Sequence, residues 1–160
     1  MEAGIHFLFA ALGQSALGRY MRTSVWGFAV VEAIHLLAIA VLGGSVLIID
    51  LRLLGVILHK EPARVLSRDL GRLLFGSLAV LILTGIAMVS EEALKCYYSP
   101  AFRWKMALLA SSVLFYFTLH RRALIQADQY ALTIWARITA IISMSLWLGV
   151  GVAGRAIGFL

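Results

Sequence analysis

The sequence predicts an all-α integral membrane protein, a four-helix transmembrane bundle preceded by an N-terminal interfacial helix. Three observations carry that expectation. Of 160 residues, 62% are hydrophobic and only 14% are charged, where a soluble domain is roughly a quarter charged. Mean hydropathy is +0.94, more apolar surface than a single core of this size can hide. Four stretches are long and apolar enough to cross a hydrocarbon layer that takes about 20 helical residues. A soluble enzyme, a disordered tail and a disulfide-stapled secreted domain are excluded. Cys96 is the one cysteine, so neither an internal disulfide nor a thiolate cluster can form.

The elements follow in order along a single domain, 1–160. No positive charge precedes Arg19, whereas a cleaved signal opens on a basic segment. Residues 5–18 are apolar yet too short to span, which suits a helix of about 3–20 lying in the interface. The spans are expected at about 24–49, 73–93, 102–119 and 134–157. Pro62 and Pro100 stand just before predicted helices, where a fixed φ is favourable. Asp50-Leu51-Arg52-Leu53-Leu54-Gly55 reads as an interface stop closing the first span. Trp26, Trp104, Tyr97 and Tyr98 fit an aromatic belt, and Trp147 fits the core.

Charge sets the orientation. Arg52, Lys60, Arg64, Arg68, Arg72, Arg121, Arg122 and Arg137 flank one face, eight against the six of Arg19, Arg22, Lys95, Arg103, Lys105 and Arg155. The bias places the even-numbered loops inside and both termini outside. Arg64, Arg68 and Arg72 repeat every four residues as one stripe on a short amphipathic helix, suited to anchoring on lipid phosphates. The excess of six positive charges is therefore assigned to membrane lipids and not to nucleic acid.

Ionisable residues inside spans are costly, so they mark the candidate site. They are Glu32 and His35 in the first span, Lys105 in the third and Arg155 in the fourth. Glu32 and His35 share a helix face. Lys105 and Arg155 enter from the same side, and Glu32 is expected to pair with one of them in a buried outer-half cluster. That cluster is either a working site or an ion pair that fixes packing. His35 lies deeper, level with Thr84, Ser111, Ser112, Ser143, Met144 and Ser145. It either joins helices by hydrogen bonds to these hydroxyls or serves as an axial ligand to a b-type haem, with Met144 opposite. No His or Cys pair has metal-ligand spacing, and no nucleophile or nucleotide motif is present, so enzymatic activity has no motif behind it.

Glu32-Ala33-Ile34-His35-Leu36-Leu37, the Asp50–Gly55 run, Phe102-Arg103-Trp104-Lys105, Trp147 and Gly154-Arg155 together resemble a family of small bacterial membrane proteins classed as a domain of unknown function. The resemblance covers most of the chain. It implies four helices in a bacterial inner membrane and no established activity. The His-Leu-Leu element is also distantly similar to the first helix of copper-resistance-D-like and cytochrome-b561-like bundles. The latter hold haem between paired histidines, and this chain lacks the second deep histidine.

Three functions follow as expectations. The first is a haem-binding or redox-associated module, in which Lys105 and Arg155 face haem propionates or Glu32. The second is a proton-coupled carrier or channel subunit, which implies a homodimer. The third is an assembly subunit of a membrane complex, whose buried charges specify packing alone.

Overall fold

A computed structural model describes residues 2–58, 63–129 and 134–157. His59, Lys60 and Pro62 lie outside the described residues, as does the side chain of Arg64. Every element among the described residues is helical. In order they are α1 (Glu2–Gln14), α2 (Ala16–Thr23), α3 (Val25–Leu54), α4 (Ala63–Glu91), α5 (Ala93–Tyr98) and α6 (Pro100–Phe115). A π-helical segment (Tyr116–His120), α7 (Arg121–Gln129) and α8 (Ile134–Ala156) complete the chain. Three helices are long and apolar enough to cross a membrane: α3, the Arg68–Glu91 part of α4, and α8.

Several boundaries differ from those expected, each for a local reason. The N-terminal helix is broken at Ser15, whose backbone is extended and whose hydroxyl accepts from the Gly18 N–H at 3.1 Å. A serine N-cap satisfies a backbone donor that α1 would otherwise have to provide for, so α2 starts afresh. The helix α3 does not stop near 49. It runs through Asp50 to Leu54 and ends at Gly55, whose φ of 75° is the left-handed turn that glycine favours. The Asp50–Leu54 run is thus helix, and Gly55 is its cap. The helix α4 begins at Ala63, which puts Arg64, Arg68 and Arg72 on the long helix itself and not on a separate amphipathic one. Arg68 and Arg72 are exposed. Pro100 occupies the first turn of α6 behind its N-cap Ser99, where a missing N–H costs nothing. From there the chain stays helical over 100–129, with the π segment in the middle.

The helix α3 is the hub, packing on α4 and α8, while α6 packs on α8. Its buried stripe is Ala38, Leu42, Val46, Ile49 and Leu53, at helical spacing. Leu42 and Val46 meet Leu74 and Tyr116, with Trp147 against them. Further along, Ile49 and Leu53 meet Leu124, Ala136 and Ala140. Ala136 and Ala140 are almost fully covered, and such small residues let helix backbones approach where lipid offers no hydrophobic drive for association. The outward faces are apolar, with Val25 82%, Leu148 70% and Leu83 69% exposed, as acyl chains would require.

The short N-terminal helices fold over one end of the bundle. His6 meets Tyr97 edge-on at 5.4 Å, and Phe9 meets Phe102 at 6.0 Å. Arg22 fastens them, donating from Nη1 to the Glu91 carbonyl at 2.9 Å and from Nη2 to the Gly13 carbonyl at 2.6 Å. One guanidinium therefore closes the C-terminal ends of both α1 and α4, where cations are favoured. Gly18 allows the crossing, since a Cβ there would sit 2.6 Å from the Gly13 carbonyl oxygen and 2.7 Å from that of Ser90. Arg22→Gln should release this strap. Two charge-assisted bonds of about 1.5–3 kcal/mol each are lost, so amide exchange over 2–23 should accelerate at least tenfold (about 1.4 kcal/mol). Unchanged exchange there would show that the aromatic contacts alone hold the strap.

Candidate functional site

Two ionisable side chains among the described residues are almost fully enclosed, and they form a pair that joins α3 to the π segment. Because α3 continues past 49, it carries Asp50 into the bundle. The wide π turn sets Tyr116 and His120 on one side, their rings stacked at 5.2 Å and 24°. Such segments occur often at functional positions. Thr118 steadies the distorted turn by donating to the Leu114 carbonyl at 2.7 Å. Phe75 of α4 backs Tyr116 edge-on at 5.7 Å. His120 Nε2 then lies 2.6 Å from Asp50 Oδ1, with side-chain exposures of 1% and 0%. Ser143 of α8, also buried, faces the same carboxylate at longer range. Arg52 is buried one half-turn along α3.

Two atoms of this pair, Asp50 Oδ2 and His120 Nδ1, are buried with no hydrogen-bond partner among the described residues. Moving the shared proton does not cure this. With the proton on His120, Nδ1–H is a donor without an acceptor. With it on Asp50, the imidazole still presents Nδ1 to nothing. Buried polar groups in folded proteins are nearly always satisfied, so these two atoms stand out among the described residues.

His35, singled out from sequence, lies about 22 Å away along α3, fifteen residues nearer its start, whereas Ser143, expected level with it, stands by Asp50. His35 Nδ1 meets Thr84 Oγ1 at 2.7 Å. Thr84 Oγ1 also lies 2.7 Å from the Val80 carbonyl, so the hydroxyl bridges the imidazole and that carbonyl. Ser111, Ser112 and Ser145 instead bond back to their own helices. Lys105 lies against α8, its Cε 3.7 Å from where a Cβ on Gly154 would stand. The charges of Lys105 and Glu32 both reach His35. Glu32, however, is exposed and forms no salt bridge with Lys105 or Arg155, so the expected buried pairing is corrected. The first turns of α3 project beyond their neighbours, as the 84% exposure of Trp26 records, and Glu32 follows them outward. Arg155 is exposed and engaged in a contact of its own.

His35 and Met144, the expected haem ligands, lie on α3 and α8. His35 packs against Thr84 and Gly85. An open apolar groove of about 460 Å³ runs along α6 beside Met106, Val113 and Phe117, and a void of about 10 Å³ lies by Leu74, Tyr116 and Trp147. Neither is lined by His35 or Met144. No group of three or more His, Cys, Asp or Glu side chains that could hold a metal ion occurs among them. Cys96 sits in α5, and burial, helped by the Glu92 charge, pushes its thiol pKa up. It is a poor thiolate ligand or nucleophile.

The described residues are all-helical, with three helices long and apolar enough to cross a membrane and polar groups at two levels of the central one. The chain belongs to the family of unknown function DUF6644, which it matches over residues 8–160. No curated protein and no solved structure matches it.

Proposed function

We propose that this chain is a four-crossing protein of the bacterial inner membrane that acts as a proton-coupled carrier or channel subunit, with its proton on the Asp50–His120 pair. The third crossing in this reading is the continuous helix over 100–129, which brings His120 to the same end as Asp50. The termini lie outside by the basic-residue bias, and Arg68 and Arg72 rest on lipid phosphates. Four crossings leave little room for alternating access in one copy, so the working unit is a homodimer.

The single observation behind this reading is a fully buried carboxylate–imidazole pair with one unmet atom on each partner. A pair retained for packing alone has no need of unmet atoms, and hydrophobic replacements commonly do that work as well. An imidazole is also the group that exchanges protons near neutral pH. The apolar layer of Leu42, Val46, Leu74 and Tyr116 separates this end from His35, as a gated path needs.

The test is proton flux into liposomes holding a pH-sensitive dye, driven by a potassium–valinomycin potential. The intact protein should acidify the interior, and His120→Asn or Asp50→Asn should slow it about a hundredfold, the scale of a lost proton-transfer group. Flux equal to that of protein-free vesicles, or equal flux in both variants, would overturn the proposal.

A further inference from the structure

Asp50 has more to offer than its bond to His120. Oδ1 meets the imidazole at 2.6 Å, while Oδ2 is buried with no hydrogen-bond partner among the described residues. The helix α8 packs against α3 here, and its buried residues Ala136, Thr139, Ala140 and Ser143 are all small. Ala136 and Ala140 share a core cluster with Ile49 and Leu53, which stand on either side of Asp50 along α3. Ser143 follows Ala140 on that face, 2% exposed, and stands by the carboxylate.

The Ser143 hydroxyl differs from its counterparts. Ser45, Ser77, Ser90, Ser112 and Thr139, the other buried hydroxyl side chains among the described residues, each donate to a carbonyl of their own helix. Such back-bonding is where a hydroxyl inside a helix ordinarily rests. Ser143 makes no bond of that kind among the described residues, and the group it faces is the carboxylate. Thr139 lies one turn earlier on the same face of α8. Its proton goes to the Trp135 carbonyl at 2.9 Å, which leaves its oxygen lone pairs for another partner.

We propose that Asp50 Oδ2 and Ser143 Oγ, with Thr139 Oγ1 one turn away, form a binding site for a small monovalent cation, sodium or its congener lithium. Every donor is a hard oxygen, which suits such ions and not the softer transition metals. One carboxylate balances one positive charge. A divalent ion would leave a net charge in a sealed, apolar setting, where it is costly. The close contact of α3 with the small face of α8, where Asp50 and Ala140 are 0% exposed, favours sodium over the larger potassium. The proposal deepens the carrier reading by naming the ion that accompanies the proton. Its role in transport rests on that reading, whereas binding does not.

The experiment is equilibrium binding of radioactive sodium to the full chain in a non-ionic detergent. Unlabelled sodium, lithium, potassium, magnesium and N-methylglucamine chlorides serve as competitors. Sodium and lithium should displace the label, and the other three should leave it bound. Ser143→Ala should weaken sodium binding at least about tenfold, the scale of a lost contact around a metal site, and Asp50→Asn should abolish it. Each variant is first required to elute and melt as the parent does, and Thr139→Val gives a second route if either fails to fold. Absence of saturable binding by the parent overturns the site, as does binding that Ser143→Ala leaves unchanged. Displacement by potassium or magnesium as readily as by sodium also overturns it. Proton flux without sodium binding would leave the carrier reading standing, and sodium binding without flux would leave the site and remove the carrier.

Discussion

Asp50→Ala is expected to destabilise the protein by about 3–5 kcal/mol, the scale found when one member of a buried ion pair is removed. The substitution deletes the one hydrogen-bond partner His120 has at Nε2, while the ring stays sealed under Tyr116. An imidazole with both nitrogens unmet then carries its full desolvation penalty. Asp50→Leu combined with His120→Leu removes both polar groups and should recover much of the loss, because neither is left orphaned. A cycle of Asp50→Leu, His120→Leu and the double variant, read by equilibrium unfolding in mixed micelles, yields the coupling directly. A loss below about 1 kcal/mol for Asp50→Ala would mean that the pair is hydrated and behaves like a surface salt bridge. The proton site would then be open at that end and not sealed. If the double variant were stable yet dead in the flux assay, stability and function would separate as proposed.

What could be read from the sequence divides along physical lines. Helical class was legible because apolar runs with so few charges leave the backbone no partner but itself. Boundaries were less so. The extension of α3 to Leu54 depends on Leu53 finding cover from Leu124 and Ala136, contacts that no local pattern announces. The break at Ser15 rests on one hydroxyl choosing a cap. Thr84 was among the residues matched in depth to His35, and it supplies that histidine's hydrogen bond.

The Asp50–His120 pair was missed because each member, taken alone, reads as a polar residue closing a span. They lie 70 positions apart, and a salt bridge of that separation has no periodic signature. A usable signal did exist. The first and third spans of an up-and-down bundle run parallel, so polar residues at their far ends share a level. Charge counting favoured Glu32 instead, since it stands between apolar neighbours. The projecting first turns of α3 then expose it.

Tyr116→Ala should have an effect as large as the loss of the carboxylate, through packing in place of charge. The ring is 8% exposed and touches three things at once: the stacked His120, the edge of Phe75, and the Leu42–Val46–Leu74 layer. Truncating a buried aromatic costs about 3–5 kcal/mol, with the upper values where the surroundings do not collapse. Collapse is hindered here because a void of about 10 Å³ already persists beside Leu74 and Trp147. The enlarged cavity would also touch His120, whose unmet nitrogen can hold water once room exists. Two readouts should therefore move together, a lower unfolding midpoint and a proton flux that rises because the apolar layer is breached. Tyr116→Phe keeps the ring and should leave the flux near that of the parent. A cavity that destabilised the bundle while flux stayed unchanged would place the proton barrier elsewhere than in the layer capped by Tyr116.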